Sequence, residues 1–129
     1  MWVKFKEHFE WCLRQRIVLN RHEVNHHGLP FSYECQNAYS IEKHYMSTIP
    51  DQGPAQYIGH CFNDGIFDIY WYVHKPEKIA RYLEADKKRS TLNRTYVFDI
   101  KHDPKWEIIE PLLDHSNSIF NPSNVNDRR

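Results

Sequence analysis

The chain has 129 residues, 40% hydrophobic and 15% aromatic, with 17 basic against 17 acidic side chains and a formal net charge of zero. That length suits one domain with its own core, and the neutral total excludes a global field that would draw the whole molecule onto nucleic acid or an anionic membrane. Four glycines are too few for glycine-rich nucleotide loops, and no apolar run approaches the roughly 20 residues that span a bilayer.

The first predicted element is a long amphipathic helix. Trp2, Phe5, Phe9, Cys12, Leu13 and Ile17 fall at steps of three and four, and Val24 continues the stripe. Gly28-Leu29-Pro30 then supplies a stop near His27, with a break near "VLN" as the alternative. Ser32 caps a second helix whose face is Cys35, Ala38, Ile41 and Tyr45, ending before Pro50. Two β-rich runs at about 56–73 flank Asn63-Asp64-Gly65, residues that accept the positive φ of a tight hairpin. On the second run Phe67, Ile69, Trp71 and Val73 alternate with Ile66, Asp68, Tyr70 and Tyr72, so both faces are largely apolar and the strand is central.

Pro76 opens a helix through "EKIARYLEADKKRS", "TYVFDI" is a third strand at about 95–101, and Asp103-Pro104 opens a last helix interrupted by Pro111. The expected fold is therefore α+β in the order α-α-β-β-α-β-α. It is a single domain over 1–115, with a small, mainly antiparallel sheet, the long N-terminal helix and further helices packed on it. Residues 116–129 have the Asn/Ser/Pro composition of a poorly ordered tail.

Cys12, Cys35 and Cys61 are odd in number and form no C-x-x-C pair, so they read as small buried hydrophobes in a reducing compartment. The charged N-terminus "MWVKFKEHFEW" is unlike a signal peptide, and the expected location is the cytoplasm, with no membrane partner.

One catalytic string is present, "HEVNH" at 22–26. On a helix His22 and His26 lie one turn apart and can hold one Zn²⁺, with Glu23 beside the metal-bound water as general base. Over those five residues the pattern resembles the zincin metallopeptidase signature. Glu34 or His44 would supply the third ligand, followed by His60. The string departs from the extended metzincin form: Leu29 stands where Gly is needed, and Gly28 comes one residue early. The competing structural reading is of imidazoles at a helix C-terminus, favoured there by its negative end.

A second constellation, His60, Asp64 and Asp68 with Glu34 and Glu42 elsewhere, suits Mg²⁺-dependent phosphodiester chemistry. The lysine of a Glu-x-Lys strand is missing, since the strand reads Asp68-Ile69-Tyr70. The third feature is a basic helix face, Lys78, Arg81, Lys88 and Arg89, set against Glu84 and Asp86. Tyr70 and Tyr72 share one side of the second hairpin strand and would add aromatic anchors if exposed.

The leading expectation is a small non-enzymatic binding or regulatory protein, such as an inhibitor, immunity or accessory factor. It would use the basic face and the two tyrosines on a larger protein or nucleoprotein, with no cofactor. The composition, low in Gly and rich in Asn, Ile and Lys, resembles that of small accessory proteins of AT-rich bacterial or phage genomes. The alternative is a zinc-dependent hydrolase using His22, Glu23 and His26, and the third reading is a nucleic-acid-binding protein or metal-dependent nuclease.

Overall fold

The structure, a computed structural model, describes residues 8–89 and 92–114. Its elements are β1 (Trp11–Val18), α1 (Ser32–Gln52), β2 (Ala55–Asn63), β3 (Ile66–Val73), α2 (Pro76–Arg89), β4 (Tyr96–His102) and α3 (Glu110–Asp114), with one 3-10 turn at Arg21–Glu23. The sheet order is β2-β3-β1-β4, and every neighbouring pair is antiparallel. Two split β-α-β units thus interleave, which is the ferredoxin-like topology.

The class is mixed α+β, but the order begins with a strand and the expected α-α-β-β-α-β-α is corrected. Residues 11–18 of the expected N-terminal helix are a central strand. Leu13 and Ile17, four apart, share a face in a helix and in a strand alike, so their spacing cannot choose between the two. What chooses is pairing: β1 is bonded on one side to β3, Leu13 opposite Trp71, and on the other to β4, Leu13 opposite Ile100. Both rows of its backbone groups are thereby satisfied inside the molecule. Trp2 and Phe5, and the tail at 116–129, lie outside the described residues.

The first turn of α1 begins at Ser32, with Phe31 in the cap position and no side-chain cap. The helix carries Pro50 in its last turn rather than ending before it. Ala38, Ile41, Tyr45 and Ile49 form its buried stripe, and α2 contributes Ile79 and Leu83. These residues cover Leu13, Ile17, Phe67, Ile69, Trp71 and Val73 on one face of the sheet. Burying a side chain of that size is worth about 1.5–3 kcal/mol, so this layer dominates stability.

The hairpin closes as a two-residue turn, with Asn63 paired to Ile66 and positive φ at Asp64 (54°) and Gly65 (79°). On the second sheet face a smaller core joins Cys12, Ile58, Cys61, Tyr70 and Tyr72 to Trp106 and Ile109. Trp106 stacks on Tyr72 with ring centroids 4.2 Å apart, and its indole Nε1–H donates to the Phe9 carbonyl at 2.7 Å. The expected last helix shortens to Glu110–Asp114. Before it, Asp103 accepts from the backbone N–H groups of Glu107 and Ile108, both at 2.9 Å, and from the Tyr72 hydroxyl at 2.5 Å.

Candidate functional site

The histidine string does not lie on a helix. The Asn20 side chain accepts from His22 N–H at 3.0 Å and starts the 3-10 turn Arg21–Glu23. Val24 leaves it in extended backbone and bridges to Pro30, and the Asn25 side chain accepts from His27 N–H (2.8 Å) and Leu29 N–H (3.1 Å). His22 and His26 are exposed on different pieces of this loop, so the one-turn geometry of the zinc motif is absent.

Gly28 explains the sharp return. Its φ is +78°, and a Cβ there would sit 2.4 Å from the Asp64 Cα, so only glycine lets the loop rest on the hairpin turn. The Gly28 carbonyl accepts from Gly65 N–H at 2.7 Å.

Neither proposed third ligand joins the loop histidines. Glu34 is fully buried and bound by Arg94 through two nitrogens, at 2.7 and 2.5 Å, by Asn20 N–H at 2.9 Å and by Asn37 at 3.3 Å. Arg94, with those other donors, holds its carboxyl below the usual carboxylate range. His44 is exposed on α1, edge-on to Tyr45. Among the described residues no group of three or more His, Cys, Asp or Glu side chains is placed to hold a metal ion.

The hairpin constellation also separates. His60 is opposite Ile69 on the helix-covered face, whereas Cys61 is opposite Asp68 on the other. Asp68 binds Arg16 Nε at 2.9 Å, and burial still leaves its carboxyl raised. Asp64 is spent on the turn.

Tyr70 is 5% and Tyr72 0% exposed, so neither offers the aromatic contact surface expected of them. The apolar character of both strand faces already pointed to burial on each side, and the second face has its cover in the chain around Trp106 and Ile109.

What sequence reasoning missed is a cluster between α1 and β2. Glu42 Oε2 accepts from the Tyr57 hydroxyl and from His60 Nδ1–H, the latter at 2.8 Å. In a regular strand residues 57 and 60 face opposite ways. A bulge between Tyr57 and Gly59 brings them to the same side, and no local signal announces that bulge. Burial, then the Glu42 charge, push the Tyr57 phenol above its ordinary range, so it stays a donor. A carboxylate-held imidazole is the arrangement of a general base. Here Tyr39, Phe62 and Phe67 ring the imidazole, with centroids 5.4, 5.8 and 5.2 Å away, and the cluster braces the helix against the strand.

The basic face stays at the surface. On α2, Ile79, Leu83 and Asp86 turn inward, while Lys78, Arg81, Lys88 and Arg89 are exposed. Asp86, one of the two carboxylates expected to offset the row, accepts instead from the Tyr45 hydroxyl at 2.6 Å and the Tyr96 hydroxyl at 2.7 Å. Glu84 meets Lys87 at 3.8 Å. Among the described residues no ion pair engages Lys78, Arg81, Lys88 or Arg89. Ala80, Arg81, Glu84, Ala85, Lys88 and Arg89 together form an open, shallow patch on the outer side of this helix.

Among the described residues no helix is long and apolar enough to cross a membrane. No curated protein and no solved structure matches the chain. The family model that does match, described as a family of unknown function (DUF695), covers residues 6–113, and the chain belongs to that family.

Proposed function

We propose that this is a small non-enzymatic binding protein of the cytoplasm that docks the outer face of α2 on an acidic surface of a larger protein. The observation that carries the reading is the row Lys78, Arg81, Lys88 and Arg89, exposed and without ion pairs among the described residues while Asp86 is buried beneath it. An unpaired, hydrated cation loses little by meeting a carboxylate across an interface, and a row of them steers encounter. The small Ala80 and Ala85 between the long side chains let a partner approach the helix closely. The exposed Glu84 within the row would oppose a phosphate backbone, which favours a protein surface of mixed charge over nucleic acid. The three free thiols, Cys12, Cys35 and Cys61, support a reducing compartment.

The test is capture from host lysate with the wild-type chain and with the double variant Arg81→Glu/Lys88→Glu, followed by salt titration of the captured complex. The expected outcome is loss of the protein partner in the variant with no change in melting temperature. Capture that ignores the double reversal removes this face from the function. Steeply salt-dependent binding to a random-sequence duplex, with no protein captured, would transfer the reading to nucleic acid.

A further inference from the structure

We infer that the outer edge of β4 is a pairing edge, and that a second copy of this chain adds its own β4 there, antiparallel, joining the two four-stranded sheets into one. The first support is the contrast between the two edges. At the β2 edge the ladder is broken by a bulge between Tyr57 and Gly59, and Pro54 precedes the strand. Both features discourage strand addition. β4 has neither. Its register with β1 runs unbroken from Tyr96 to His102, it contains no Pro or Gly, and Val97 on it is 56% exposed. Among the described residues no strand pairs with its outer side.

The direction of its backbone groups follows from bonds at both ends. Val18 N–H donates to Thr95 C=O at 2.9 Å and Asp103 N–H donates to Glu10 C=O at 2.7 Å, so residues 95 and 103 point toward β1. Antiparallel ladders alternate, so residues 97, 99 and 101 also point inward. Tyr96, Phe98, Ile100 and His102 therefore present their N–H and C=O groups to the open side.

Those groups limit which registers a second β4 can take, and charge selects among them. Placing Ile100 against its own copy makes Ile100–Ile100 a hydrogen-bonded pair, flanked on each side by Phe98 against His102. The intervening close pairs are then Asp99 against Lys101, twice, once on each side of the two-fold axis. Shifting so that Phe98 meets Ile100 would instead set Asp99 against Asp99, and like charges directly opposite destabilise a sheet. Lys101 is exposed and engages no ion pair among the described residues. Asp99 binds Arg14 through Oδ2 at 2.8 Å with its side chain still 39% exposed, which leaves it able to meet a second cation. Lys101 would guard this edge against an apolar strand, and in the Ile100-centred register it is neutralised by the second copy. The contact is isologous, as a closed dimer requires.

Sedimentation velocity of the full chain over a wide concentration range tests this. The expected result is a reversible monomer–dimer equilibrium in the wild type. Lys101→Glu sets a carboxylate opposite Asp99 and should raise the dimer dissociation constant at least about tenfold. Ile100→Pro deletes an outward N–H without touching a bond to β1, and should give monomer. Circular dichroism should show both variants folded. If Ile100→Pro fails to fold, Lys101→Glu decides alone. A wild type that stays monomeric throughout overturns the inference, even if it binds an extended peptide of another sequence. So does a dimer that Lys101→Glu leaves intact.

Discussion

Glu34 and Asp68 are both interior carboxylates held by an arginine, one at the end of α1 and the other on the second face of the sheet, and their protons respond in opposite directions. Glu34 is pulled below the usual range and Asp68 is pushed above it. Surface exposure is alike, 0% and 5% of each residue, yet burial is the largest influence on Asp68 and only the second on Glu34, where the Arg94 bonds come first. The donors supply the rest of the difference. Glu34 receives a two-nitrogen grip from Arg94, whose side chain is itself only 14% exposed, plus Asn20 N–H and Asn37. Asp68 receives Arg16 alone, with one good bond at 2.9 Å and a second stretched to 3.5 Å. Charge-assisted bonds outweigh desolvation only where several converge, and here one carboxylate has that convergence and the other lacks it.

The largest expected effect is at the first site. Glu34→Gln leaves the nearly buried Arg94 without its counter-charge and should cost about 3–5 kcal/mol in chemical denaturation. The sign of the pH dependence follows from the lowered carboxyl. Its contribution is complete above the unfolded value of 4.5 and is lost as pH falls through the lower folded value. The acid limb of the wild-type stability curve should therefore flatten in Glu34→Gln, and an unchanged limb would contradict the assignment.

Gln15 sharpens the same point from the neutral side. Its amide is fully buried beneath the helices, opposite Ile69 and Phe98, and neither amide atom has a hydrogen-bond partner among the described residues. Replacing an unsatisfied buried amide by an apolar group of similar size should be stabilising, by about 1–3 kcal/mol for Gln15→Leu. A loss of stability would mean that the amide is satisfied.

At the second site, Asp68→Asn should shift stability at neutral pH by no more than about 1 kcal/mol, because the Arg16 side chain, 36% exposed, remains hydrated without its partner. The raised carboxyl predicts the opposite pH trend to Glu34: stability falls as pH rises from 3.8 through the higher folded value, and the asparagine variant loses that slope. Parallel acid titrations of the two variants compare the sites directly. The smallest stability change belongs to the α2 surface. There Arg81→Glu/Lys88→Glu should move folding by about 0.5 kcal/mol or less while abolishing partner capture, a separation that melting curves run beside the capture assay would reveal.

Local chemistry alone specifies the hairpin. Asn63-Asp64-Gly65 provides residues that tolerate the two positive φ values of its turn, and alternation on both sides places its strands. Pro76 marks the start of α2 in the same way, and the outward cations of that helix are readable from spacing. These features depend on neighbours a few residues away. The first strand does not: Leu13 and Ile17 fit two periods equally, and only pairing with β3 and β4 selects the extended one. The fate of HEVNH turns on Gly28 seated against Asp64, a contact between segments far apart in sequence. The Glu42–His60–Tyr57 cluster depends on a bulge, and the burial of Tyr70 and Tyr72 on the chain around Trp106. Steric and turn preferences are written into short stretches of chain, whereas the sharing of backbone bonds and the covering of a sheet face are settled only when distant segments meet. That is why the surface cations are legible in the sequence while the interior contacts that join distant segments, Glu34 with Arg94 and Asp86 with Tyr45, belong to the tertiary structure.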